Sequence, residues 1–578
     1  MVSKKITIAV LVIFTLFSSL YAQNTPVEKG LAAITKEAVQ AQLEFLSSDW
    51  MEGREATTKG EFMSADYIAS MFKVYGLKPA GDDVMPSFSG RRPSGQPPGG
   101  QPGQMPRVQM TKSYFQNIPF VASEAGGEQI MALVQKEGSF EKKTYFTSGS
   151  DFTMQVTGAG IEFTAPVIFV GYGYKNDEIG YDDFKGIDVK GKIILRVSGV
   201  PGQGDPNSEI YKKLDLGDFR KMMTISRDKN EIAQKLGAVG VIEVSSTIAQ
   251  TMRMGGPGGP GGQRGGSQYA NYPFRYNTNI YEGDVPFTQS SLRLSLPEDS
   301  LKTGIVTLNL NQKITNEILK DSGINIAEYE KNAVAKSKPI GKEIKGKYIY
   351  VKASSKTKTL LGRNVLGMIE GENPNEIIVI GGHYDHMGKY NGYIWNGADD
   401  NASGTVGVMT IAKAIMATGV KPKKTIIFAA WAAEEKGLLG SKYFTDKFKD
   451  IQKVKLNLNY DMISRNTAAD TAGVQAGIEY SEKYPVLKEA VENANQKYNI
   501  GLQLNMRASL RPTGGSDYAS FSAKDIPVYA FMAAMHDDYH TPTDHVEKVD
   551  IKKMTNIIKI GYLAIWELAN MDKIEPVK

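Results

Sequence analysis

Apolar positions recur along this chain with different periods, and each period marks a region. Between residues 30 and 76, Val39, Leu43 and Leu46, then Ala65, Ile68, Met71 and Phe72, fall three or four apart. That spacing predicts helices with one buried face, stopped by Gly76. From about 140 to 340 short β-rich runs dominate, such as 166–170 and 192–196, separated by Gly and Asp turns. One helix near 231–236 leads into 237–242. This predicts a separate, mainly β domain. It holds no histidine, which argues against a catalytic role of its own. From 345 onward, continuous apolar runs (364–369, 377–381, 425–431, 456–460 and 528–532) alternate with helical patterns (404–417, 438–448, 485–498, 518–523 and 551–570). Strands apolar on both faces, alternating with helices, predict an α/β fold: a mixed, largely parallel sheet sandwiched by helices.

The ends and interruptions add boundaries. Lys4 and Lys5 precede an apolar stretch from Ile6 to Leu20, and Ala22-Gln23 offers a cleavage point, so residues 1–22 read as an export signal. The apolar run is short of the ~20 residues a spanning helix needs. The expectation is export to the periplasm or outside the cell, with no stable membrane span after cleavage. Two stretches, 87–107 and 252–266, are too rich in Gly and Pro to bury a core and are expected to be surface loops. Their glycines superficially resemble phosphate loops, but no strand precedes them and no helix follows. The organisation expected is thus a signal (1–22), an N-terminal helical part with a Gly/Pro loop (23–139), an insert (140–340) and a main α/β region (345–578).

Composition narrows the chemistry. Apolar residues make up 41% of the 578, enough for a sizeable core, and the formal charge is +5. Loss of residues 1–22 removes Lys4 and Lys5 and no acid, leaving +3. That charge favours no partner, and no basic stripe with interleaved aromatics suggests nucleic acid. There are no cysteines, which excludes disulfides and thiolate ligands. There is no HExxH and no GxSxG, so a single-helix zinc protease or a serine nucleophile elbow is not indicated.

All five histidines lie beyond residue 380, amid acidic motifs: His383-Tyr-Asp385, Asp399-Asp400-Asn401, Glu434-Glu435, Asn459-Tyr-Asp461 and Tyr539-His540. Most follow an apolar run. In open α/β sheets ligands bind beyond the carboxyl ends of the strands, so these segments are expected to meet at one sheet edge. A catalytic zinc keeps three protein ligands and an open position. Two ions need six contacts, and five residues supply six if one carboxylate bridges: His383, Asp400, Glu435, Asp461 and His540. Glu434 is left as general base, and Asp385 is placed to orient the other nitrogen of His383. Singly, each motif has a blander reading: Glu-Glu as a solvated face, Asp-Asp-Asn as a turn or helix cap. Only together do they indicate a site.

Residues 381–404 (GGHYDHMG through NGADDNASG), 434–441 (EEKGLLGS), 459–463 (NYDMI), 514–517 (GGSD) and 539–544 (YHTPTD) resemble the zinc aminopeptidases that also include glutamate carboxypeptidase. Leu46-Ser-Ser-Asp49 and Gly53-Arg54 are similar to that family's N-terminal segment. The stretches Val189-Lys-Gly-Lys-Ile-Ile194 and Gly237-Ala-Val-Gly240 resemble a protease-associated (PA) domain. The resemblance implies two zinc ions per chain and a peptide substrate. It assigns His383 and Asp461 to one zinc, Glu435 and His540 to the other and Asp400 to both. It also makes Glu434 the general base and Asp385 the orienting residue. Asp399 does not match the bridge, and His386, His536 and His545 match no ligand; these histidines are expected to be supporting or surface residues, with His536 the main rival ligand. Where the family often has His after Ser516-Asp517, this chain has Tyr518, a departure that removes no ligand but is expected to alter the pocket wall.

Aminopeptidase is the first expectation from the resemblance, with Asp537 or Asp538 to meet a substrate amine. Arg507 and Arg511, ahead of the 514–517 turn, keep a carboxypeptidase or dipeptidase open, since a free carboxylate wants arginine. Two further readings are a receptor-like binding protein, which would have lost ligands, and a one-zinc enzyme cyclising N-terminal glutamine.

Overall fold

The computed structural model describes residues 25–85, 110–155, 160–203, 205–214, 216, 219–244, 246, 293–300, 305–335, 341–390, 392–512 and 515–577. The stretch expected to be an export signal and both Gly/Pro-rich stretches fall outside the described residues. The chain divides into two compact units, one of residues 1–118, 362–512 and 520–578, the other of 119–361 and 513–519. Both main boundaries fall inside long strands, Phe115–Glu137 and Lys342–Ile369, so no linker composition marks them in the sequence.

In the first unit the N-terminal segment is helical, with α1 (Pro26–Ala32), α2 (Lys36–Leu46) and α3 (Lys59–Tyr75). Thr25 and Thr35 cap α1 and α2 by accepting main-chain N–H bonds. Gly76 ends α3 at φ 86°, a left-handed value that glycine adopts freely. Val39, Leu43, Leu46, Ala65, Ile68 and Phe72, six of the seven periodic apolar positions, are buried.

The sheet of this unit contains β1 (Lys342–Ile369, through its C-terminal part), β2 (Asn373–His383), β3 (Lys424–Trp431), β4 (Val454–Tyr460), β5 (Gln475–Ser481), β6 (Gln503–Ser509) and β7 (Val528–Met532). Its order is β6-β5-β7-β4-β2-β3-β1. The central four strands, β3, β2, β4 and β7, are mutually parallel. β1 runs antiparallel to β3, and β5 antiparallel to β7. The sheet is therefore mixed and largely parallel, as the continuous apolar runs imply. Every residue of β3 is buried. Helices α4 (Gly404–Ala417), α5 (Leu439–Lys447), α6 (Pro485–Lys497) and α7 (Ile551–Asn570) follow or flank the strands. The long, largely buried α7 packs on α4 and α6. Sequence periodicity misses β5 and β6. The outer strand β6 alternates exposed and half-buried residues and carries no apolar run.

The second unit is built on parallel strands Ile161–Phe169, Ile193–Val197, Gly240–Val244 and Val306–Leu310. Antiparallel strands Lys342–Ile369, through its N-terminal part, and Phe152–Gln155 pair with its two sides. Helices Phe219–Lys235, Gln312–Leu319 and Ile326–Ala335 accompany the strands. The strand-rich expectation misses the last two helices, although strands still outnumber helices among the described residues of this unit. Its apolar core includes Val167, Phe169, Ile193, Leu195, Ile242 and Leu308.

Candidate metal centre

Four neighbouring parallel strands end at the same edge, and the register fixes how closely. His383, the last residue of β2, lies opposite Trp431, the last of β3. Gly381 lies opposite Asn459 of β4, and Tyr460 opposite Phe531 of β7. Glu434 and Glu435 therefore leave β3, Asp461 leaves β4, and the segment to His540 leaves β7, all beside His383. Asp400 sits in the turn Ala398–Ser403 ahead of α4. That turn is held by Asn401. Its Oδ1 accepts the N–H groups of Gly404 at 2.8 Å and Met462 at 3.2 Å, and its Nδ2 donates to Tyr460 O at 2.9 Å. One amide side chain thus caps α4 and ties Asp400 to the loop of Asp461.

The five residues expected as ligands converge as two groups. Nε2 of His383 is 3.4 Å from Asp400 Oδ1 and 3.5 Å from Asp461 Oδ1. Nε2 of His540 is 3.1 Å from Asp400 Oδ2 and 3.3 Å from Glu435 Oε2. Asp400 turns one oxygen to each imidazole. Glu434 Oε2 is 3.8 Å from His383 Nε2. Donors around a tetrahedral zinc at 2.0–2.2 Å lie about 3.3–3.6 Å apart, and the four histidine–carboxylate distances, 3.1–3.5 Å, are close to that spacing. Asp461 Oδ1 and Asp400 Oδ2 are buried and face the imidazole nitrogens of His383 and His540, a costly state for carboxylate oxygens that a cation relieves. The donor set thus suits metal ions of the zinc type.

The local field has the matching sign. Burial opposes charge on His540, yet Glu435 and Asp400 push its pKa up to about 10. Burial likewise opposes charge on His383, but Glu434, Asp461 and Asp400 raise its pKa well above the ordinary histidine value. A cluster that binds protons this tightly attracts cations generally.

Residues beneath the ligands carry the rest of the structure. Nδ1 of His383 meets the main-chain carbonyl of Asp385 at 3.1 Å, while the Asp385 carboxylate is 3.9 Å away. That carboxylate accepts the N–H groups of Glu434 at 3.0 Å and Glu435 at 3.4 Å. Asp385 therefore touches the histidine through its backbone and the glutamates through its side chain, a division the spacing does not foretell. Asp399 points away from the cluster: it accepts the N–H and hydroxyl of Ser464, and His536 Nε2 lies 3.2 Å from its Oδ2. His536 is thus engaged outside the ligand groups. Buried His386 places Nδ1 2.8 Å from Glu435 Oε1, and His545 is half-buried.

Two supporting residues had only a faint sequence signal. Asp544, at the end of the 539–544 motif, accepts the N–H groups of Asp399 and Asp400, each at 3.0 Å. Arg54, in the N-terminal segment, is fully buried and donates to the carbonyls of Leu46, Tyr384, Asn396 and Gly397 at 2.6–2.9 Å. It clamps the loop after β2 to the loop before Asp400. Burial lowers its pKa to about 10, opposed by Asp400, Asp385, Asp544 and Glu435.

Residues 364–564, which hold all five of these candidate donors, match the model of peptidase family M28. Over this stretch, about a third of its length, the chain is similar to that family. Among similar proteins, leucine aminopeptidase 2 of Trichophyton equinum is 34% identical over 168 residues, 28% of this chain and 32% of that one. A glutamate carboxypeptidase 2 homolog of Caenorhabditis elegans is 26% identical over 443 residues, 69% of this chain and 53% of that one. The matches thus span about a third to a half of these relatives' lengths. The solved aminopeptidase from Aneurinibacillus sp. strain AM-1 superposes with a TM-score of 0.50 at 19% identity, covering 96% of this chain and 98% of that one. At that identity the likeness is one of fold. Among the described residues no helix is long and apolar enough to cross a membrane.

Proposed function

We propose that this chain is an M28-type, exported di-zinc exopeptidase that releases N-terminal residues from peptides. The observation carrying the proposal is Asp400, whose two oxygens face two different histidines. This favours two ions, with His383, Asp400 and Asp461 holding one and His540, Asp400 and Glu435 the other. It also weighs against a one-zinc cyclase. Retention of all five donors weighs against a receptor-like role. When bound, the ions supply Lewis acidity toward the scissile carbonyl and lower the pKa of the attacking water. Glu434 takes the proton of that water and returns it to the leaving amine. Asp385 fixes the turn that carries Glu434 and Glu435. The 119–361 unit is proposed as the PA-like insert.

The end of the peptide that is recognised follows from the remaining charges. Asp538 is engaged by Arg465 and Lys548 at 2.6 Å each, which weakens it as the acid for a substrate amine. A carboxypeptidase is the second reading, favoured by the longer match to the glutamate carboxypeptidase homolog. It loses support at Arg507, whose guanidinium pairs with Glu479 at 2.6 Å, and would fall to Arg511. The test is hydrolysis of aminoacyl p-nitroanilides by the purified protein, with N-acetylated controls and o-phenanthroline. Chelator-sensitive cleavage of the free-amine substrates alone is expected. Cleavage only of peptides with a free carboxyl end would move the proposal to the second reading.

A further inference from the structure

The histidine left over beside the cluster has a specific geometry. His386 is fully buried, and its Nδ1 lies 2.8 Å from Glu435 Oε1, while the other oxygen of that carboxylate, Oε2, faces His540 at 3.3 Å. The ring is wedged against Gly397: a Cβ at 397 would come within 2.4 Å of His386 Cδ2. Its Nε2 is buried with no hydrogen-bond partner. A residue that merely filled this space would be apolar, since an unpartnered buried nitrogen is costly. The compensating contact is the one to Glu435.

We propose that His386 is a positioning residue for the second metal centre. It donates Nδ1–H to Oε1 of Glu435, which restricts that carboxylate to binding a cation through Oε2 alone. This leaves room on the ion for substrate. The bond also fixes the tautomer, with the bare Nε2 turned to the site that lacks a donor. At 3.8 Å from Asp400 Oδ2, Nδ1 leaves the bridging carboxylate to His383 and His540. The inference rests on the two-ion reading above.

The experiment titrates metal-free full-length protein with Co2+, following the visible absorption bands, and compares His386→Leu, His386→Asn and His386→Gln. Asn sets its amide nitrogen near the place of Nδ1, whereas Gln sets it near Nε2. The wild type is expected to take two equivalents. His386→Leu and His386→Gln should keep the first and weaken the second about 10- to 100-fold, with changed bands, and His386→Asn should restore both. Retention of the first equivalent reports correct folding. Wild-type binding in His386→Leu would overturn the proposal, as would loss in His386→Asn equal to that in His386→Gln, which would make His386 a direct ligand. Should His386→Leu not fold, the contrast between Asn and Gln decides alone. A wild type that binds no cobalt would instead remove the two-ion reading itself.

Discussion

At the scale of single residues, adjacent positions in this chain do different work, and substitution should separate them. Glu434 and Glu435 share a turn, yet only Glu435 faces His540. Glu434→Gln is expected to keep metal stoichiometry near the wild type and lower kcat by about 10²- to 10⁴-fold; elemental analysis alongside steady-state kinetics checks both parts. Asp399 and Asp400 differ in the same way, since Asp399 is bound by Ser464 while Asp400 faces both histidines. Arg54→Met should leave four buried carbonyls without their donor and destabilise the first unit by on the order of 3 kcal/mol or more. A urea-derived unfolding free energy within about 0.5 kcal/mol (roughly the surface-substitution range) of the wild type would show that the clamp is dispensable. The pairs Glu434-Glu435 and Asp399-Asp400 were legible as motifs in the sequence. The clamp was not, because Arg54 lies some 330 residues from the carbonyl of Tyr384 that it binds.

At the scale of elements, the site depends on how α4 seats against β4. Gly404 opens α4 with helical backbone angles, so its lack of a side chain is a matter of space. A Cβ there would lie 2.5 Å from Tyr460 O and 2.3 Å from Asn401 Oδ1. Gly404→Ala must therefore push the Ala398–Ser403 turn away from β4, at a cost of about 1–3 kcal/mol. Asp400 moves with that turn. The expected result is a thermal midpoint several degrees lower and weaker binding of both ions, since Asp400 belongs to both groups; calorimetry with and without zinc would show it. Unchanged metal affinity would mean that Asn401 holds Asp400 regardless of α4. Periodicity located α4 and β4 closely, because both are long and buried. It passed over β5 and β6, whose residues alternate polar and apolar or lie at an outer strand, where burial leaves little pattern.

At the scale of the whole molecule, the two units answer to different chemistry. The candidate metal donors all belong to the first. In the second, Lys229 is buried on the helix Phe219–Lys235 and donates to Val197 O at 3.1 Å and Gly199 O at 2.8 Å. Burial, with Arg196 nearby, lowers its pKa to about 7 from 10.5, partly offset by Glu243 and Asp183. Between these values the unfolded chain holds a proton that the folded chain has released, so stability rises with pH. The cost of burying the charge is present in full below about pH 7 and is gone above about 10.5. Chemical unfolding of the wild type at pH 7 and pH 9 should show this unit gaining stability, and Lys229→Met should flatten the gain. An unaltered slope in the variant would assign the effect to another group.

By itself, the sequence determined the fold class, the strands at whose ends the ligands lie, and the donor types of the candidate site. Those properties are local: a run of apolar residues buries wherever it pairs, and the residue that follows it emerges at the strand end. Tertiary structure alone decided which oxygen of Asp400 meets which histidine, that Asp385 reaches His383 through its carbonyl, that His386 leans on Glu435, and that Arg54 and Asp544 hold the loops beneath. Each of these is a distance between segments far apart in the chain. Such distances are set by strand register and close packing, to which a one-dimensional pattern is blind.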